Sequence, residues 1–203
     1  PPGAPRAGGP AVAPLWTGKV ALDLAPGHLP QPASGAELRF EVLAYAAAGG
    51  EERPAGPPVP FRMEVRKPGE ARRVTFFSEV DRSIQFFGFL PPAAGPRPPG
   101  GVATVLSLHG AGVEALGQAR SYSARPGFQV AAATNRRPFG FDWQDWGRAD
   151  ACEVLDRVLA AGGADRARVC LTGHSMGGHG AWHLAANDPD RWAAVAPSAG
   201  WCS

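Results

Sequence analysis

The feature that most constrains this chain is an alternation of apolar runs between residues 102 and 198. "VATVLSL" is nearly continuous in apolar side chains, as a strand covered on both faces by helices must be. "GFQVAAAT", "ARVCLTG" and "WAAVAPSAG" are further short apolar runs. Between them, "ADACEVLDRVLAAGG" places Ala151, Val154, Leu155, Val158 and Leu159 at the i, i+3, i+4, i+7, i+8 spacing of a helix buried along one stripe, with Gly162 and Gly163 ending it. "MGGHGAWHLAAN" reads as a second helix, stopped at Asp188-Pro189. Strand, helix, strand, helix, strand predicts a three-layer α/β sheet with right-handed crossovers.

Upstream the pattern has period two. "ELRFEVLAY" sets Leu38, Phe40 and Val42 on one face against Glu37, Arg39 and Glu41 on the other, and "FRMEVRK" does the same with Phe61, Met63 and Val65. "GKVALDL" is a weaker third strand, and the proline-rich "ERPAGPPVP" reads as a connector. "RRVTFFSEVDRSIQFFGFLPP" is a hairpin broken at Asp81-Arg82-Ser83. The organisation expected is a flexible lead-in over 1–14, which has too little large apolar surface to offset ordering, a small β-rich module over 15–70, and an α/β domain over 71–203.

Composition excludes more than it selects. The formal charge of +2 arises from 20 basic and 18 acidic residues interspersed along the chain, with no basic stripe to follow a nucleic acid backbone. No run reaches the roughly eighteen apolar residues of a membrane span. Cys152, Cys170 and Cys202 are far apart and fit neither a disulfide framework nor a zinc site. Asp142, Asp145, Arg148 and Asp150 lack the ligand pattern of a calcium loop and read as solvated or capping charges, so no metal is expected. Trp143 and Trp146 read first as residues that close a core, with the lining of an acyl or sugar pocket as the alternative.

The chemistry lies where a strand meets a helix. Gly173-His174-Ser175-Met176-Gly177 matches G-x-S-x-G with a strand before it and a helix after it. A serine hydroxyl is a weak nucleophile at neutral pH and must project from a sharp turn to where a base can reach it. The helix that follows leaves its first N–H groups unpaired at its positive end, so the Met176 N–H is the expected donor to a developing oxyanion. "LSLHGAG", after the first parallel strand, supplies a second donor in the Ala111 N–H, flanked by Gly110 and Gly112. His109 is expected to brace that loop, and His174, His179, His183 and His28 read as packed or solvated.

Taken together, "LHGAG", "DWQDWGRADACEVLDRVL" and "LTGHSMGGHGAWHLAANDPDRWAAVAPSAGW" resemble the α/β-hydrolase superfamily, specifically esterases related to the prolyl oligopeptidase group. The resemblance covers roughly residues 72 to 203. It implies Ser175 as nucleophile, the Met176 and Ala111 amides as oxyanion hole, acyl transfer to water through an acyl-enzyme, a small-molecule ester or peptide substrate, and no cofactor. In this superfamily the triad acid and histidine come after the nucleophile, beyond "GWCS", so the chain reads as the N-terminal portion of such a domain, without its acid and histidine. The relatives incline the location towards secreted or periplasmic; oligomeric state is not readable. A prolyl oligopeptidase-type peptidase and a non-catalytic binding module of the same fold are the alternative readings.

Overall fold

The computed structural model describes residues 35–48, 51–136 and 142–202. The lead-in at 1–14 and the strand expected at "GKVALDL" lie outside the described residues. Of the described residues, those up to Pro68 form one compact unit and those from Gly69 onward a second.

In the first unit, β1 (Glu37–Val42) pairs antiparallel with β4 (Val59–Glu64), Leu38 opposite Met63 and Phe40 opposite Phe61. The alternation along β1 appears as expected, with Leu38, Phe40 and Val42 the more covered face. Phe61, however, is exposed although its neighbour ring Phe40 lies 6.2 Å away. A two-stranded ribbon covers a side chain only with the ring opposite it. The sequence reading carried "ELRFEVLAY" through as one strand and took "ERPAGPPVP" as a connector. Instead the chain breaks after Val42, and β2 (Tyr45–Ala48) pairs with β3 (Glu51–Pro54) in a second small antiparallel ribbon.

The second unit is built on a six-stranded sheet: β5 (Arg72–Phe77), β6 (Ile84–Leu90), β7 (Val102–Leu108), β8 (Phe128–Ala132), β9 (Ala164–His174) and β10 (Ala194–Ser198), in the order β10-β9-β7-β8-β6-β5. β5 and β6 form the antiparallel hairpin expected, with Ser83 donating from both its N–H and its hydroxyl to Asp81 in the turn. β7, β8, β9 and β10 run parallel. Two helices match the periodic stretches, α2 (Trp146–Ala160) and α3 (Met176–Asn187), and one short helix does not, α1 (Ala115–Arg120).

Period-two geometry sends alternate residues of each central strand to opposite faces. Leu106 and Ala131 pack with Val154, Leu155, Ala181 and Leu184 beneath α2 and α3. Val130 and Ala132 pack with Ala115 and Ala119 of α1 on the other face, with Val105 against them. Each Leu buried in this way contributes about 1.5–3 kcal/mol relative to exposure. The buried stripe of α2 includes all five residues that its spacing selects. Trp146 falls beside that stripe and is exposed, contrary to its reading as a core residue, whereas Trp143 is fully buried.

Candidate active site

Ser175 is the single residue between the end of β9 and the start of α3. Its φ of 56° and ψ of −121° lie where non-glycine residues rarely go, and holding such a conformation costs about 1–3 kcal/mol. Two main-chain bonds hold it there: the Ser175 N–H donates to the Ser198 carbonyl at 2.9 Å, and the His179 N–H donates to the Ser175 carbonyl at 3.1 Å. The turn is tight enough to exclude side chains on both flanks. A Cβ at Gly173 would stand 2.1 Å from the Gly177 carbonyl oxygen, and one at Gly177 would stand 2.0 Å from that of Leu108. Gly177 thus brings the first turn of α3 directly against the last residue of β7. Met176, at the first helical position, carries one of the N–H groups that no helical carbonyl can reach.

The loop after β7 meets the same turn. A Cβ on Gly110 would lie 3.1 Å from the His174 carbonyl oxygen and 3.5 Å from Ser175 Cβ. Beneath it His109 is fully buried, with Nδ1 3.0 Å from the Gly110 carbonyl oxygen and Nε2 3.2 Å from that of Thr134. A neutral imidazole carries one proton and donates to one of these oxygens. The Val113 N–H also donates to the Gly110 carbonyl, at 3.3 Å. In a trans peptide C=O and N–H point in opposite directions, so partners on the Gly110 carbonyl set the direction of the Ala111 N–H. Ala111 itself is exposed.

Trp143 completes this support. Its indole N–H donates to the His109 carbonyl at 3.1 Å, and its ring meets the imidazole edge-on at 4.9 Å. The sequence reading placed Trp143 in the core ahead of a pocket wall, and in neither case as a support for His109. Its link to His109 spans a sequence separation that no local pattern reports.

Asp150 was expected to be solvated or capping; the structure corrects this, since it is completely buried on α2. It accepts from the Thr134 N–H and hydroxyl, the Asn135 N–H and Arg136 Nε at about 3 Å. Burial pushes its carboxyl up from the ordinary range, against the opposing pull of Arg136. Buried Arg136 also donates to Ser78 and Glu153, while its Nη1 stands 2.9 Å from Asp81, an ion pair outside hydrogen-bond geometry. Burial raises Glu153, but donors from Glu79, Ser78 and Arg157 outweigh it and hold its carboxyl below the ordinary value. This cluster fixes Thr134, whose carbonyl faces His109, and so ties the loop at 109–112 to α2 and the β5–β6 turn.

The remaining described histidines are placed for other work. His174 is exposed in the turn. His179 is buried, donates from Nδ1 to the Trp201 carbonyl at 3.0 Å, accepts at Nε2 from the Gln144 amide at 3.3 Å, and stacks on the Trp201 ring at 4.6 Å. Burial, then the neighbouring His179, hold His183 below the usual imidazole range. Among the described residues no side chain is hydrogen-bonded to the Ser175 hydroxyl, and no three His, Cys, Asp or Glu groups are placed to hold a metal ion.

Comparison with solved structures fits this architecture. A ferulic acid esterase of carbohydrate esterase family 1 from Anaeromyces mucronatus superposes with a TM-score of 0.51 at 17% identity, covering 66% of this chain and 59% of that one. This is the α/β-hydrolase fold. Fluorophosphonate-binding serine hydrolase F of Staphylococcus aureus (TM-score 0.48, 18% identity, 66% of this chain and 58% of that) and a thermostable esterase (0.49, 21%, 68% and 45%) are also similar. The chain spans about half to three-fifths of the length of these α/β-hydrolases. Residues 111–203 match the family model described as "Putative esterase", a stretch that takes in Ala111, Ser175 and Met176. No curated protein matches the sequence. No described helix is long and apolar enough to cross a membrane.

Proposed function

We propose that this chain carries the nucleophile and oxyanion hole of a serine hydrolase that cleaves carboxylic esters. The observation that carries the reading is the backbone of Ser175, held in a rare conformation at a strand–helix junction with Gly110 of the neighbouring loop against it. The match of 111–203 to an esterase family model supports the choice of ester over other substrates.

In this reading Ser175 Oγ attacks the acyl carbonyl carbon while its proton passes to a base, and the carbonyl electron pair moves onto oxygen. The Met176 and Ala111 N–H groups receive that oxyanion, with the positive end of α3 behind Met176. Collapse of the tetrahedral intermediate expels the alcohol, which takes up a proton, and leaves an acyl-enzyme that water hydrolyses by the same steps. The base and its orienting acid are assigned to no described residue. Hydrolysis of a peptide, with an amine in place of the alcohol as leaving group, would use the same machinery, and no observation favours it.

A fluorophosphonate probe tests the assignment in the full-length protein. Covalent labelling at Ser175, abolished by Ser175→Ala, is the expected result. Absence of labelling, or labelling that persists in the alanine variant, overturns it.

A further inference from the structure

At the opposite end of the sheet from Ser175, where β7 and β9 begin, lies a cleft of about 530 Å³. Its floor is the outer part of the sheet: Val74 and Phe76 from β5, Phe87 and Phe89 from β6, all on the face that α2 covers further in. The rings form a continuous surface, with Phe76 to Phe87 at 6.0 Å and Phe87 to Phe89 at 6.1 Å. Phe76 and Phe89 are only half-buried, because α2 packs on β7, β8 and β9 and stops short of the hairpin. Val158 and Ala161 at the end of α2 form one wall.

The rim has one sign of charge. Arg72, Arg97 and Arg157 line the cleft, and no acidic residue does. The Arg72 guanidinium lies over Phe89 at 5.4 Å and that of Arg157 over Phe76 at 4.6 Å, so two cations sit on the aromatic floor itself. Among the described residues neither Arg72 nor Arg97 has an ion-pair partner. Arg157 is held by Glu153 at 3.2 Å, by Glu79 at 3.9 Å and by a bond to the Phe77 carbonyl, so it is the two exposed arginines, Arg72 and Arg97, that are left for a ligand.

We propose that this cleft is a binding site for an amphipathic organic monoanion, a carboxylate on an apolar alkyl or aryl body. The volume suits a small ligand, the floor takes the apolar body, and the planar guanidinium groups match the two oxygens of a carboxylate. The site lies apart from Ser175 and does not depend on the function assigned to it.

The test is titration of the full-length protein with dodecanoate below its micellar concentration, followed by calorimetry and by chemical-shift mapping, with dodecyltrimethylammonium as the charge-reversed control. Saturable binding of dodecanoate is expected, with shifts centred on Phe76, Phe89 and Val158, and at least about tenfold weaker binding of the cation. Replacing both exposed arginines (Arg72→Gln with Arg97→Gln) should weaken dodecanoate by about tenfold or more while leaving the far-ultraviolet circular dichroism unchanged. Equal affinity for the cation, undiminished affinity in the double variant, or shifts confined to other parts of the protein overturn the proposal. Perturbation absent from the Phe76–Phe89 face because another part of the chain covers it overturns it equally.

Discussion

Substituting Gly177 by alanine tests the junction between the Ser175 turn and the loop at 109–112, the proposed nucleophile and oxyanion hole, at its tightest point. The new Cβ would stand 2.0 Å from the Leu108 carbonyl oxygen, 2.6 Å from its carbon and 3.0 Å from the His109 carbonyl oxygen. All three are main-chain atoms, so no rotamer change relieves the clash, and α3 must move away from the end of β7 by more than about 1 Å to reach ordinary contact. Overpacking of this kind costs about 1–3 kcal/mol, and the backbone neighbours place Gly177→Ala at the upper end. At about 2–4 °C per kcal/mol for a chain of this size, Tm should fall by about 6–12 °C. The same displacement separates the Met176 amide from Ala111, and a misplacement of about 1 Å costs about a hundredfold in rate. Differential scanning calorimetry and the rate of phosphonate labelling read the two effects. Gly56→Ala, with nothing within 4 Å of its Cβ, is the control and should change neither. Wild-type melting and labelling in Gly177→Ala would show that α3 and β7 are not in the contact described.

Arg136→Met should cost about 3–5 kcal/mol in denaturant titration, because it leaves Asp150 buried without its cation; Asp150→Asn in the same background should recover part of the loss, and failure to do so would contradict an ionised pair. Trp143→Phe keeps a ring but takes the donor from the buried His109 carbonyl, so a loss of about 1–3 kcal/mol with slower labelling is expected, and unchanged labelling would separate Trp143 from the site. The Ser83 hydroxyl and N–H, with Arg136 nearby, hold the Asp81 carboxyl at about 2 rather than 3.8. A depressed carboxyl pKa stabilises the fold above the unfolded value, so this contribution should be complete above about pH 4 and disappear as pH falls to about 2. Asp81→Asn should flatten that part of the stability curve, and an unaltered acid limb would refute the role given to Ser83.

The parts of this fold that were legible in the sequence are those in which local spacing and burial coincide. The α2 stripe, the apolar run of β7 and the hairpin turn at Asp81 each repeat within a few residues, and periodicity reports them. α1 is six residues long, too short for a helical period to stand out. The β2–β3 ribbon lay across a boundary between an alternating run and a proline-rich one, and pairing, not propensity, created it. Asp150 looked like a surface charge because its partners, Thr134, Asn135 and Arg136, come from outside its helix; its burial is a property of their assembly. The tight strand–helix turn at Ser175 was legible from the glycines around it. The brace at His109 was expected from its place before the loop; those at Trp143 and Thr134 were not, since each acts through a main-chain carbonyl and leaves no residue-type signature.

The claim on which the rest depends is that Ser175 Oγ and the amides of Met176 and Ala111 converge on one acyl group. A crystal structure of the phosphonylated protein measures this directly. The account predicts a phosphoryl oxygen about 2.7–3.1 Å from both nitrogens. An adduct whose oxygen points to solvent, or which reaches Met176 while the Ala111 N–H faces away, would contradict it.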